Sequence, residues 1–182
     1  MRQCARSVPV RLLLAAAVLG LGGCASMTPE ECKTADWYEK GMSDGQHGRA
    51  RAYLEDHVKA CSEVGVRPNR ERYMAGRDIG IRQYCTPHNG LQEGRRGASY
   101  ANSCPPELEP AFLARYRAGY EVYRAQQRLD QINQRVQSKQ RELDKAKEDK
   151  DRSRLRRDLR DLDGDARRAR ADLYAAERRL DW

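Results

Sequence analysis

Two stretches of the C-terminal part read VYRAQQRLDQINQRVQSKQRELDKA (residues 122–146) and LRRDLRDLDGDARRARADLYAAERRL (residues 155–180). In the first, Val122, Ala125, Leu129, Ile132, Val136, Lys139, Leu143 and Ala146 follow one another at spacings of three and four, and only Lys139 is polar. In the second, Leu155, Leu159, Leu162, Ala166, Ala169, Leu173, Ala176 and Leu180 do the same. Residues three and four apart share one face of an α-helix, so each stretch reads as a helix with a single apolar seam. The seams are out of phase, because continuing the first would demand apolar residues where Lys150, Ser153 and Arg157 stand. Two arrangements satisfy this. Either a tight turn near Glu148–Arg152 folds an antiparallel hairpin, or one unbroken helix with a phase break serves an intermolecular coiled coil. The segment KAKEDKDRSR (145–154) offers only Ala146 to bury, so the hairpin is the expected form, with arms of ~45 Å at 1.5 Å per residue. Seams this rich in Ala bury little area, a motive for self-association or for a helical protein partner along the 122–180 seams.

Upstream the helices are short. Pro105-Pro106-Glu107 opens the long helix well, since Pro is tolerated in a first turn and an acid favours the helix N-terminus. Asp36 is placed to cap a helix from Trp37, and a second helix is expected over Ala50 to Val64, closed by Gly65 and Pro68. Asn69 caps a third over Arg70 to Tyr84, which Thr86-Pro87 stops. The segment YCTPHNGLQEGRRGASYANSCPP (84–106) is dense in Gly, Pro, Asn and Ser and is expected as a loop, with turns at His88-Asn89-Gly90 and Arg96-Gly97. A glycine pattern recurs: Tyr38-x-x-Gly41-x-x-x-Gly45, then Tyr73-x-x-Gly76-x-x-x-Gly80 35 residues on, then Gly90-x-x-x-Gly94-x-x-Gly97, and Tyr116-x-x-Gly119 with Tyr123. A helical Gly costs up to ~1 kcal/mol against Ala. Its repetition on one face therefore reads as close approach between helix backbones rather than a phosphate-binding loop, which would carry a following Lys-Ser/Thr.

The N-terminus carries Arg2, Arg6 and Arg11, then the apolar run Leu12–Leu21, then Gly22-Gly23-Cys24. A basic start, an apolar run about half the ~20 residues of a membrane span and a small-residue end describe a signal peptide over residues 1–23. Leu21-Gly22-Gly23-Cys24 resembles the bacterial lipobox, which implies diacylglycerol on the Cys24 sulfur, cleavage before it and acylation of the new amine. The alternative is an ordinary signal with a chance cysteine. Ala25 and Ser26 stand where an aspartate would signal retention, so the outer membrane, facing the periplasm, is the expected location. With Cys4 removed and Cys24 lipidated, Cys32, Cys61, Cys85 and Cys104 remain. An even number in an oxidising compartment predicts two disulfides. Three connectivities are possible, and Cys32–Cys61 with Cys85–Cys104 is expected because each pair brackets one sequence unit. The gaps are too long for closely paired zinc ligands, so no metal is expected.

Only 39 % of the 182 residues are hydrophobic and Phe occurs once, which implies a small core plus an extended helical part. The net charge of +8 is uneven: residues 24–110 hold 12 basic and 13 acidic residues, whereas residues 111–182 hold 20 and 14. The basic excess is either a solvated helical surface of mixed charge or a face for anionic lipid head groups or an anionic envelope polymer, and nucleic acid, which an exported chain rarely meets, is the weaker partner. The expected organisation is all-α: signal peptide 1–23, lipidated N-terminus and linker 24–35, disulfide-stapled helical head 36–110, and a charged coiled-coil-like arm 111–182.

Several of these strings also resemble the opening of an uncharacterised bacterial lipoprotein family, domain of unknown function 2799. They are Asp36-Trp37-Tyr38-Glu39-x-Gly41-x-x-Asp44-Gly45-x-x-Gly48, Tyr84-Cys85-Thr86-Pro87-x-Asn89-Gly90-x-x-x-Gly94-x-x-Gly97, Cys104-Pro105 and Phe112-x-x-x-Tyr116-x-x-Gly119. The likeness spans roughly residues 30–125. It implies a small α-helical periplasmic module and supplies no activity and no catalytic residues.

These residues admit three functions. A non-catalytic envelope lipoprotein, tethered through Cys24 and using its arm for interaction, is the expected one. A small-ligand or inhibitor-binding module would use the 85–104 segment, with His88, Asn89, Arg95, Arg96 and Tyr100 as its candidate residues. An enzyme acting on the cell wall is disfavoured: the histidines are only His47, His57 and His88, no free Cys is expected, and Ser43, Ser62, Ser99 and Ser103 lack a nucleophile-elbow setting. No catalytic residues and no cofactor are expected.

Overall fold

A computed structural model describes residues 25–180. The expected signal peptide and the lipidation of Cys24 fall outside those residues. Seven helices follow in order: α1 (Pro29–Thr34), α2 (Trp37–Gln46), α3 (Tyr53–Ser62), α4 (Arg70–Tyr84), α5 (Pro87–Arg95), α6 (Glu109–Lys145) and α7 (Asp149–Arg178). Among the described residues there is no strand. The all-α expectation therefore holds, as does the division into a stapled head and a long arm.

Local chemistry explains most boundaries. Thr28 and Glu31 form a reciprocal capping box at α1. The Asp36 carboxylate accepts from the amides of Tyr38 and Glu39, and Asn69 accepts from Arg72, so α2 and α4 start where expected. Gly65, at φ +72°, supplies the left-handed residue after α3. Two expectations fail here. The stretch read as a linker, residues 24–35, is folded over its described part: it holds α1, and Met27 (4 % exposed) and Cys32 are buried with Trp37, Leu54, Cys61 and Tyr73. The stretch read as a loop, 84–106, contains α5, so His88-Asn89-Gly90 lies in a helix rather than a turn. Thr86, read as a stop, caps the next helix by accepting from the Asn89 amide, and Pro87 sits in its first turn.

The reason α5 forms is tertiary. Gly90 and Gly94 lie against the backbone carbonyls of Phe112 and Tyr116, and Gly119 against Leu91 and Arg95. In the other pair, Gly41 and Gly45 lie against Tyr73, Arg77 and Ile81, while Gly76 and Gly80 lie against Tyr38, Met42 and Gln46. Position rises together on both partners, so α2 runs parallel to α4, and α5 parallel to the start of α6. A Cβ at any of these helical glycines would overlap a facing carbonyl. Contact at this distance compensates the low helix propensity of glycine with backbone packing. The repeat is thus a two-helix unit, not a single helix recurring at 35 residues. Gly41, Gly45 and Gly48 correspond to Gly90, Gly94 and Gly97. Tyr73, Gly80 and Tyr84 correspond to Phe112, Gly119 and Tyr123. Gly48 and Gly97 both have positive φ, and each lies under the ring of the matching tyrosine, Tyr84 or Tyr123.

Both expected disulfides are present, Cys32–Cys61 tying α1 to α3 and Cys85–Cys104 tying the end of α4 to the segment before α6. Each sits in its own small core, the second built from Ile81, Tyr84, Phe112 and the cystine, with Tyr100 and Tyr116 packed on it. The expected border between head and arm at residues 110 and 111 falls in the first turn of α6. Because Phe112, Tyr116 and Gly119 complete the second unit, the head reaches about Tyr123.

Beyond that point α6 and α7 form the hairpin. Leu129, Ala166 and Ala169 are buried between them, with Ile132 and Leu173 alongside. Every residue of both seams is at least partly covered, the chain leaves the helix at Ala146, and α7 starts at Asp149. Neither Gly nor Pro makes this turn. Instead Arg152 donates from Nη1 to the carbonyls of Ala146 (3.0 Å) and Leu143 (3.4 Å), satisfying the open end of α6. At the other end, Arg115 donates to the Leu180 carbonyl at 3.2 Å, so α7 returns to the head.

Candidate functional site

The residues singled out on 85–104 do not converge. His88 is exposed on α5 and bonds to Gln92 one turn on. Asn89 is structural, donating to the Tyr84 carbonyl at 2.8 Å. Arg95 is exposed, and Arg96 pairs with Glu93. Tyr100 is half-buried against Phe112, donates to Glu109 (2.8 Å) and accepts from the Cys104 amide (3.0 Å), which fastens the Cys85–Cys104 segment to α6.

A different set does converge, in the first unit. Gly41, Asp44 and Gly45 lie on the face of α2 that meets α4, so the Asp44 carboxylate is forced inward. On α3, Leu54, His57 and Cys61 share the inward stripe. The N-terminal segment closes the group from the third side. His57, fully buried, contacts Asp44 Oδ2 through Nε2 at 2.7 Å and Ser26 Oγ through Nδ1 at 2.8 Å. Tyr73, also fully buried, donates its hydroxyl to the same Asp44 oxygen at 2.9 Å. Burial pushes the Asp44 carboxyl up, but the hydrogen bonds from His57 and Tyr73 outweigh it and hold the group below the usual carboxylate range. Burial, and then the bond to Asp44, raise the Tyr73 phenol.

The order Ser26–His57–Asp44 is that of an acyl-transfer triad, but its setting differs. The imidazole has no exposure, and a phenol occupies the carboxylate beside it. A nucleophile must present its oxygen to substrate with oxyanion donors at hand. Ser26 Oγ is instead bonded to Nδ1 of the buried ring. This chemistry suits holding: a dry carboxylate with two short donors locks α2, α3, α4 and the segment before α1 into one arrangement. The group is not legible in the sequence because His57 and Ser26 lie 31 residues apart and on different elements. The available signal was the inward spacing of Asp44 among the glycines. Among the described residues no three His, Cys, Asp or Glu side chains are grouped to hold a metal ion.

No curated protein and no solved structure matches the chain. Residues 36–121, which hold Asp44, His57 and Tyr73 and nearly all of both two-helix units, match the family described as protein of unknown function (DUF2799).

Proposed function

We propose that the protein is a lipid-tethered envelope module without catalytic activity, which holds its head directly at the membrane surface and offers its arm for interaction. The observation that carries this reading is the fastening of Ser26 and Met27 into the head. They stand two and three residues after Cys24, so acyl chains on that cysteine leave almost no free chain between lipid and fold. Multiple acyl chains tether stably where one does not. Two buried disulfides accord with an oxidising, extracytoplasmic compartment. In the arm, the apolar seams face one another across the hairpin and leave an outside rich in arginine. That outside fits anionic lipid head groups or an anionic envelope polymer, and it fits them better than a helical partner that would need the seams.

The test is metabolic labelling of the full chain with a palmitate analogue in a bacterial host, followed by mass analysis of the purified product. We expect the leader to be removed before residue 24, label on that residue, and loss of both label and membrane fractionation in Cys24→Ser. An intact leader or an unmodified Cys24 would overturn the reading.

A further inference from the structure

Arg77 is 3 % exposed, yet among the described residues no carboxylate lies within ion-pair distance of it. Its Nη2 donates to the carbonyls of Arg49 (2.8 Å) and Ser103 (3.4 Å), while its Nε has no partner. Ser103, 7 % exposed, likewise leaves its Oγ without a partner. Both residues line one cleft of about 350 Å³ between the two halves of the head, with Arg51, Arg82 and Asn102 around them. Buried charges are normally paired, and buried polar atoms normally bonded.

The second unit shows what the position requires for folding alone. There Tyr116 corresponds to Arg77, and its hydroxyl donates to the Ala98 carbonyl at 2.6 Å. Ala98 follows the positive-φ Gly97 as Arg49 follows Gly48. The same bond is thus made twice, once by a neutral phenol and once by a buried guanidinium. The structural task does not need the charge.

We propose that this cleft is a binding site for a small carboxylate, with Arg77 and Ser103 as its floor and Arg51 at its mouth. Three guanidiniums face two carboxylates there, Asp78 and Glu107, and Arg82 is already paired with Glu107 at 3.4 Å. The remaining single positive charge fits a monoanion, and the Nε–H of Arg77 with the Ser103 hydroxyl offers two donors to its oxygens. The volume lies at the lower end for small-molecule sites. Lipidation plays no part in this site.

The test uses the intact, oxidised protein in thermal unfolding at fixed ionic strength, titrated with sodium acetate and an N-acetyl amino acid. Sodium chloride, the corresponding amide and inorganic phosphate serve as comparisons. We expect a saturable rise in Tm with the carboxylates and none with chloride or the amide. Arg77→Tyr, which copies the other half of the head, should keep the fold and lose the rise. Ser103→Ala, which removes an unbonded buried hydroxyl, should fold at least as stably and weaken the carboxylate by roughly tenfold or more. Should Arg77→Tyr fail to fold, the Ser103→Ala affinity decides alone. The absence of a saturable rise, its persistence in both variants, or saturation by phosphate in place of the carboxylates would overturn the proposal.

Discussion

Replacing Gly76 with Ala is expected to destabilise the head, whereas the same change at Gly164 is expected to stabilise the arm. On α4, a Cβ at position 76 would fall on the Tyr38 carbonyl and within 3.0 Å of the Met42 amide nitrogen. Both are helix backbone and cannot rotate away. The parallel pair must separate, loosening the contacts of Gly41, Gly45 and Gly80 with it. Overpacking of this kind costs typically 1–3 kcal/mol, and the rigid neighbour puts the cost near the top of that range. Ala recovers up to ~1 kcal/mol in helix propensity, which leaves a net loss of about 2 kcal/mol. At Gly164 the nearest atoms to a new Cβ are the Arg168 Nη1 at 3.7 Å and the Arg167 Nη2 at 3.9 Å, both tips of flexible side chains. There only the propensity gain remains, about 0.5–1 kcal/mol. The assay is urea unfolding followed by circular dichroism with the disulfides intact. Amide hydrogen exchange assigns each change to α2 and α4 or to α7, because head and arm have separate cores. A neutral or stabilising Gly76→Ala would refute the claim that glycine marks backbone contact here.

Asp44 should make the head acid-sensitive. An unfolded Asp titrates near about 3.9 and the folded Asp44 lies below that, so the stability it supplies is complete above this value and is lost as pH falls through the folded one. Unfolding measured between pH 7 and 2 should therefore lose this acid-dependent component in Asp44→Asn. Replacing Cys85 and Cys104 together by Ser should lower stability by about 3 kcal/mol, and replacing Cys32 and Cys61 by slightly more, since they close the longer segment of 29 rather than 19 residues. Denaturant midpoints of the two double variants check the order.

The candidate site was less legible than the fold. His88, Arg95 and Arg96 drew attention because polar residues on a Gly-rich stretch look like a binding loop, but an unforeseen helix turns them outward. The groups that do meet, Ser26, His57, Asp44 and Tyr73, share no common pattern: Ser26 and His57 look ordinary on their own elements, and only the glycine spacings around Asp44 and Tyr73 mark those two as inward. Arg77 was equally hidden, since one arginine among many is conspicuous only once its burial and its correspondence to Tyr116 are known.

What the sequence determined alone is whatever rests on neighbours in the chain: the two seams, the caps at Asp36 and Asn69, and the glycine faces that anticipate close packing. The cystine pairing was legible as well, because the four cysteines bracket successive units. Tertiary structure alone decided whether Thr86 ends one helix or begins another, and that the glycine helices pair in parallel, in two units. It also drew Ser26 and Met27 into the core. The physical reason is that these outcomes depend on contacts between distant segments. Weak local preferences, such as those of a Gly-rich stretch, yield to packing whenever a matching surface lies opposite.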